Sequence, residues 1–135
     1  GVSDGMAEFV CPLCATIHLS GSTITLTSCA MAVMVMTNQS IGFGKMFPFI
    51  LMLGVTMVAA PGVPGGAIMA ALGILASMLG FTAEDQALMI SLYVAMDSFG
   101  TACNVTGDGA LAVIIDTVTA SGRRTSIKDD ITPQS

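Results

Sequence analysis

Long apolar runs separated by short polar breaks organise this chain. No Asp, Glu, Lys or Arg occurs between Phe9 and Gly44, and none between Met46 and Ala83. Each stretch is long enough to enter a bilayer, which takes roughly 20 apolar residues per spanning helix. Met6 to Ile17 predicts a helix, which then meets His18-Leu19-Ser20-Gly21-Ser22, a polar, glycine-containing break inside an apolar region. Ser22 to Met36 resumes with helix-compatible apolar residues. Freed backbone groups are tolerated at membrane depth only where they line a cavity or bind something. The pattern therefore predicts a discontinuous transmembrane helix over about 6–36, with its break as a candidate site.

Thr37-Asn38-Gln39-Ser40, with Gly42, Gly44 and Lys45, reads as a polar loop. Met46 to Ala60 is apolar but too short to cross comfortably, and it ends in Pro61-Gly62-Val63-Pro64-Gly65-Gly66. Two prolines remove backbone donors and three glycines favour loop conformations, so no helix continues through this tip. Ala67 to Gly80 is a second short apolar run, and the two predict a re-entrant hairpin over about 46–80. Thr82, Glu84 and Asp85 form a helix-start signal, opening a last helix over about 84–119. Beyond Gly122 lies a charged tail, 123–135. Arg123, Arg124 and Lys128, three of the four basic residues, sit there, and positive-inside bias puts the tail in the cytoplasm. The expected fold is all-α: a polytopic membrane protein with a discontinuous transmembrane helix, a re-entrant helical hairpin and a long final transmembrane helix. Residues 1–122 are expected to form the C-terminal part of one domain.

Composition sharpens this picture. Of 135 residues, 53% are hydrophobic and 10% charged, whereas a soluble domain carries about 25% charged residues. The 11 Met and 15 Gly suit close helix packing in lipid. No Trp is present and aromatics are 5%, so no interfacial aromatic belt is evident. A net charge of -5 excludes nucleic-acid binding, which needs clustered Lys and Arg. Cys11, Cys14, Cys29 and Cys103 sit in apolar surroundings and read as free thiols. The chain opens on Gly1 without a signal-peptide pattern; it is expected to be a fragment whose N-terminal part is missing.

Asp97, Thr101, Asn104 and Asp108 are spaced four, three and four apart, which at about 100° per residue sets them on one narrow helix face. Ionisable groups in a membrane helix are costly and face a partner, a cavity or a pathway. The nearest basic side chains, Lys45 and Arg123, lie in loop or tail, so the buried carboxylates need a cation or a proton. That is the requirement of a cation-coupled carrier. The bland alternative is simple bonding to neighbouring helices. Intramembrane aspartyl proteolysis is excluded by geometry, since catalytic aspartates sharing a proton must nearly touch and these lie about 16 Å apart along the axis. The chain is not read as an enzyme. Cys11, Cys14 and His18 share one face at spacings that could suit a soft metal, but no fourth ligand is apparent. His18, at the break, is open to three readings: a satisfied imidazole, a ligand or a proton carrier.

These segments resemble the glutamate-transporter-like sodium:dicarboxylate symporter family in its C-terminal transport domain. Cys11-Pro12-Leu13-Cys14-Ala15-Thr16-Ile17 through Gly21-Ser22 resembles the seventh transmembrane helix, Gly62-Val63-Pro64-Gly65 the second re-entrant tip, and Asp97 through Asn104-Val105-Thr106-Gly107-Asp108 the eighth helix. The resemblance implies that Asp97 holds a substrate amino group, with Ser22, Thr101 and Asn104 beside it and Val63 and Pro64 in a lid above. It implies one sodium site at Asp108 and Asn104 with carbonyls near Cys14, and a second on carbonyls of Thr16, Met57, Val58 and Ala60. It also implies a plasma-membrane homo-oligomer, a trimer, with sodium as a transported ion rather than a fixed cofactor.

Two departures carry weight. Where the family reads Asn-Met-Asp-Gly-Thr, this chain has His18-Leu19-Ser20-Gly21-Ser22, losing a carboxylate and an amide associated with a third sodium. His18 and Ser20 are thus candidates for altered proton or ion coupling. Where acidic-substrate members place an arginine, this chain has Gly100, so a substrate's second carboxylate would lack its bidentate partner. The expected function is cation-coupled symport of a small neutral amino acid, with sodium and a proton as the candidate coupling ions. An acidic substrate is the alternative within the family. A channel or non-transporting membrane subunit is the alternative of a different class.

Overall fold

The computed structural model describes the backbone of residues 1–131 and the side chains of residues 1–120. Among these the chain is all-helical. Helix α1, Asp4–Ile17, starts from extended Ser3 with Asp4 in its first turn, where a carboxylate complements the helix dipole. It carries Pro12 internally, and the Pro12 carbonyl accepts the hydroxyl of Thr16. The helix stops at His18 (φ -104°, ψ 87°), whose N–H still closes on Cys14 O at 2.8 Å.

Helix α2, Ser20–Met36, begins two residues later. The interruption is thus His18-Leu19 alone, narrower than the five-residue break expected. Ser20, Gly21 and Ser22 are helical, with the Gly21 N–H and the Ser22 hydroxyl met by a partner on another helix, as described below. The end of α2 is sealed by Asn38 in the left-handed region (φ 55°), with Gln39 N–H bonding Met34 O and Asn38 N–H bonding Val35 O. That double bond is the Schellman closure.

Helix α3, Phe43–Val58, and helix α4, Gly66–Ile74, are the two short arms joined by the Pro/Gly tip. Gly65 at the tip has φ 74°, a conformation an L side chain resists. A wide π turn, Leu75–Leu79, prolongs α4 and ends at Gly80 (φ 73°). Lys45 Nζ donates to Leu79 O at 2.8 Å, tying the bases of the two arms together and meeting a carbonyl at the end of that turn.

Helix α5, Ala83–Ile131, opens with a reciprocal cap: Asp85 N–H donates to Thr82 Oγ1, and Thr82 N–H and its hydroxyl donate to Asp85 Oδ2. The helix runs past the expected end near 119. One glycine costs only about 1 kcal/mol in a helix interior, and Arg and Lys are good helix formers, so Gly122 alone does not stop it. The rest of the expected tail, residues 132–135, lies outside the described residues.

The main core joins α2, α3, α4 and the first turns of α5, around Leu26, Phe49, Leu53, Ile68, Met89 and Tyr93. A smaller cluster of Val10, Cys14 and Ala112 joins α1 to α5. Elsewhere the exterior is apolar, with Phe9, Phe43, Val55, Phe99 and Val118 all well exposed. Two segments, Asp4–Met36 and Ala83–Ala120, are long and apolar enough to cross a membrane. Glycine permits the close crossing of α2 and α5: a Cβ on Gly21 would overlap the Gly100 carbonyl and come within 2.6 Å of Cys103 Cβ.

Candidate functional site

A cavity of about 230 Å³ lies where the α1–α2 interruption, the α3–α4 tip and one face of α5 converge. The polar residues of α5 organise it, each reaching a different irregular segment. Asp97 Oδ2 accepts the Gly65 N–H of the tip at 3.2 Å. Asn104, buried, accepts the Gly21 N–H at 2.8 Å through Oδ1 and donates to Ser22 Oγ at 3.0 Å through Nδ2. Helix α2 lacks a side-chain cap of its own at Leu19, so an amide from another helix supplies an acceptor to its first turn. Asp108 Oδ1 meets His18 Nδ1 at 2.8 Å. The imidazole lies flush on Gly107, where any side chain would collide with it.

Ser22, Val63, Pro64, Asp97, Thr101 and Asn104, the residues expected to touch substrate, all line this one cavity, as do His18 and Asp108. The hydroxyl of Thr101 donates to Asp97 O of its own helix at 3.0 Å, leaving only acceptor capacity for a ligand. The residues expected to offer cation carbonyls lie apart from the cavity lining. Cys14 is buried and its carbonyl receives the His18 N–H. Thr16 is exposed, with its hydroxyl on Leu13 O at 2.8 Å. Met57 and Val58 end α3, and Ala60 follows its capping residue Ala59, with the Ala60 N–H bonding Met57 O at 3.2 Å. Ser20 is exposed and outside the cavity. No group of three or more His, Cys, Asp or Glu side chains among the described residues could hold a metal ion. Gly100 is buried against Gly21 and Thr25 of α2, away from the cavity.

Two residues escaped the sequence pattern. Tyr93, 1% exposed, lines the cavity one helical turn before Asp97. It continues the stripe, and it is the sole tyrosine of the chain, which is the signal that could have found it. Asp116 accepts the Ser3 hydroxyl at 2.6 Å and the Ser3 N–H at 3.3 Å, anchoring the start of α1. It lies about 80° around the helix from Asp108 at 100° per residue, outside the stripe that spacing defines.

The chain matches the sodium:dicarboxylate symporter family over residues 1–118. It is 26% identical to the neutral amino acid transporter A of Bos taurus over 115 residues, 85% of this chain and 22% of that protein. It is 28% identical to the excitatory amino acid transporter 5 of Homo sapiens over 110 residues, 82% of this chain and 20% of that protein. It thus spans about a fifth of the length of the curated relatives it matches. No solved structure matches it. With a family match across nearly all of its length, this chain belongs to the sodium:dicarboxylate symporter family.

Proposed function

We propose that this chain is the substrate-holding C-terminal part of a sodium-coupled symporter that carries a small neutral amino acid across the plasma membrane. The observation that carries this reading is the charge pattern of the cavity: among the described residues it is lined by two carboxylates and by no Lys or Arg. Asp108 has His18. Asp97 accepts a backbone amide on one oxygen, which leaves the other for an ammonium group. A charged hydrogen bond of that kind is the strong kind. A second carboxylate on the substrate would find no guanidinium and would sit among like charges. The relatives include both neutral and excitatory amino acid transporters by name, so charge chemistry favours the neutral class here.

In this reading the α1–α2 segment is a discontinuous transmembrane helix and the α3–α4 pair a re-entrant hairpin whose tip, with Val63 and Pro64, covers the substrate. Residues 1–122 are transport domain, residues 123–135 face the cytoplasm, and copies assemble as a homo-oligomer. Asp108 and Asn104 with the Cys14 carbonyl take one transported sodium. Carbonyls of Thr16, Met57, Val58 and Ala60 take another. Because His18 already engages one Asp108 oxygen and Ser20 offers no carboxylate, fewer sodium ions are coupled than in acidic-substrate relatives, with a proton on His18 in place of one. The Asp97–Gly65 bond, which ties the tip down over the cavity, favours a carrier over an open channel.

The test is uptake in proteoliposomes carrying the full-length protein, with serine, alanine, glutamate and aspartate competing. Saturable serine or alanine uptake that needs a sodium gradient supports the reading. Tight aspartate or glutamate uptake with the neutral amino acids ignored overturns the substrate class, and gradient-independent, non-saturating flux overturns the carrier.

A further inference from the structure

We propose that Tyr93 sets the substrate class within this cavity, its phenol receiving the side-chain hydroxyl of a small amino acid such as serine or threonine. The proposal rests on the amino-acid carrier reading above and deepens it.

The ring of Tyr93 is fixed: it is 1% exposed and packed in the main core beside Met89. What remains of it opens on the cavity, with the hydroxyl directed toward the Ser22 and Asp97 side chains. Each neighbour also has another partner. Ser22 Oγ receives the Asn104 amide, and Asp97 Oδ2 receives the Gly65 N–H. The Tyr93 hydroxyl lies within weak hydrogen-bonding reach of both and closes a well-formed bond with neither, so it keeps capacity for a ligand. Among the described residues no fully buried side-chain N or O lacks a partner, so an unmet phenol belongs to the accessible lining. A polar group in a mostly apolar wall is costly when unmet, and a ligand group that meets it recovers that cost.

Reach and charge select the ligand. Tyr93 lies one turn from Asp97 on the same face of α5, and its hydroxyl is close to the Asp97 side chain. An amino acid whose ammonium sits on Asp97 carries a side-chain hydroxyl two bonds from its α-carbon, short enough to meet a phenol beside that carboxylate. A phenol donates and accepts, so it satisfies a hydroxyl fully. It offers no positive charge to a carboxylate, and Asp97 and Asp108 line the same cavity. A methyl side chain leaves the phenol unmet.

The test is Tyr93→Phe in the full-length protein, which keeps the ring and removes one oxygen. Serine, alanine and glutamate uptake are measured in proteoliposomes for both proteins. The expected result is a wild-type KM for serine about tenfold below that for alanine, with the variant raising the serine KM about tenfold and leaving alanine within about twofold. Sodium dependence stays unchanged in the variant. Alanine uptake reports that the variant is folded. An unchanged serine-to-alanine ratio with intact alanine uptake overturns the role of Tyr93 and leaves the neutral carrier standing. Equal loss for both substrates also overturns it, assigning the hydroxyl to packing or to Asp97 alignment. Uptake of glutamate alone by the wild type overturns this proposal and the neutral reading together.

Discussion

Asp97 and Gly65 meet at 3.2 Å, the carboxylate of the long helix accepting the backbone N–H of the glycine that turns the tip. The same carboxylate thereby both lines the cavity and tethers the tip that lines it too. Gly65 reaches this position only in the left-handed conformation, φ 74°. Side-chain chemistry on α5 and backbone chemistry in the tip are thus one unit.

Neutralising that carboxylate separates its two tasks. In Asp97→Asn the amide oxygen still accepts the Gly65 N–H, while the charge that would hold an ammonium is gone. Amino-acid affinity is expected to fall by about 2–3 kcal/mol, roughly a hundredfold, the worth of a charged hydrogen bond. Sodium binding without substrate is expected to change less than about threefold. Calorimetry on the full-length protein checks both, and parallel loss of both affinities contradicts the ammonium role.

Gly65→Ala attacks the tether from the other side. An alanine in the left-handed region costs about 1–2 kcal/mol, which the tip can relieve only by leaving its present backbone geometry. Spin labels at the exposed positions Val58 and Val94 are expected to report a broader distance distribution in the variant without substrate, narrowed again by substrate. Identical distributions in variant and wild type mean that the tip is not restrained through Gly65.

His18 and Gly107 are matched in shape, and a side chain at 107 would collide with the imidazole. Gly107→Ala is therefore expected to swing His18 off Asp108 and to reproduce His18→Asn. With one more Asp108 oxygen free for a hard cation, both variants should lower the half-saturating sodium concentration of uptake by about fivefold, since a lost charge-assisted contact is worth on the order of 1 kcal/mol. If the two variants shift it in opposite directions, or neither moves it, His18 is not competing for the cation.

The sequence made much of this arrangement legible, and the exceptions have physical causes. The stripe of Asp97, Thr101, Asn104 and Asp108 followed from helical spacing alone, and the tip from its prolines and glycines. The extent of the interruption did not follow, because Ser20-Gly21-Ser22 is polar by local reading. Its helical state rests on Asn104, 83 residues away in sequence from Gly21. Threonines of the same segment hide their polarity locally: Thr23, Thr25 and Thr27 each donate to the carbonyl four residues back. Tyr93 was not legible, because a lone aromatic in an apolar helix carries by itself no signal of a site, and only its place in the cavity lining gives it one. The carbonyls of Thr16, Met57, Val58 and Ala60 carry no signature in side-chain spacing. Their roles come from resemblance, and they stand outside the cavity lining.

Gly100 shows most sharply how packing constrains chemistry in this chain. Its place in the sequence suggests a missing arginine, a side chain that would turn the cavity toward acidic substrates. In the fold, however, a Cβ at this position points between helices, 3.1 Å from Thr25 Oγ1 and 3.4 Å from the Gly21 backbone. The reciprocal position is tighter still, since a Cβ on Gly21 overlaps the Gly100 carbonyl, a backbone atom that cannot rotate aside. Gly100→Ala should therefore be tolerated with a small shift of the Thr25 hydroxyl, whereas Gly21→Ala should cost about 1–3 kcal/mol as overpacking. Gly100→Arg adds to that tolerated Cβ a long charged chain that must thread through a buried helix crossing. It is expected to lower the thermal midpoint more than Gly100→Ala and to gain no glutamate uptake. Size-exclusion thermostability and proteoliposome uptake of the three variants decide this. Robust glutamate transport by a stable Gly100→Arg protein would mean that the crossing opens and that position 100 faces the substrate after all.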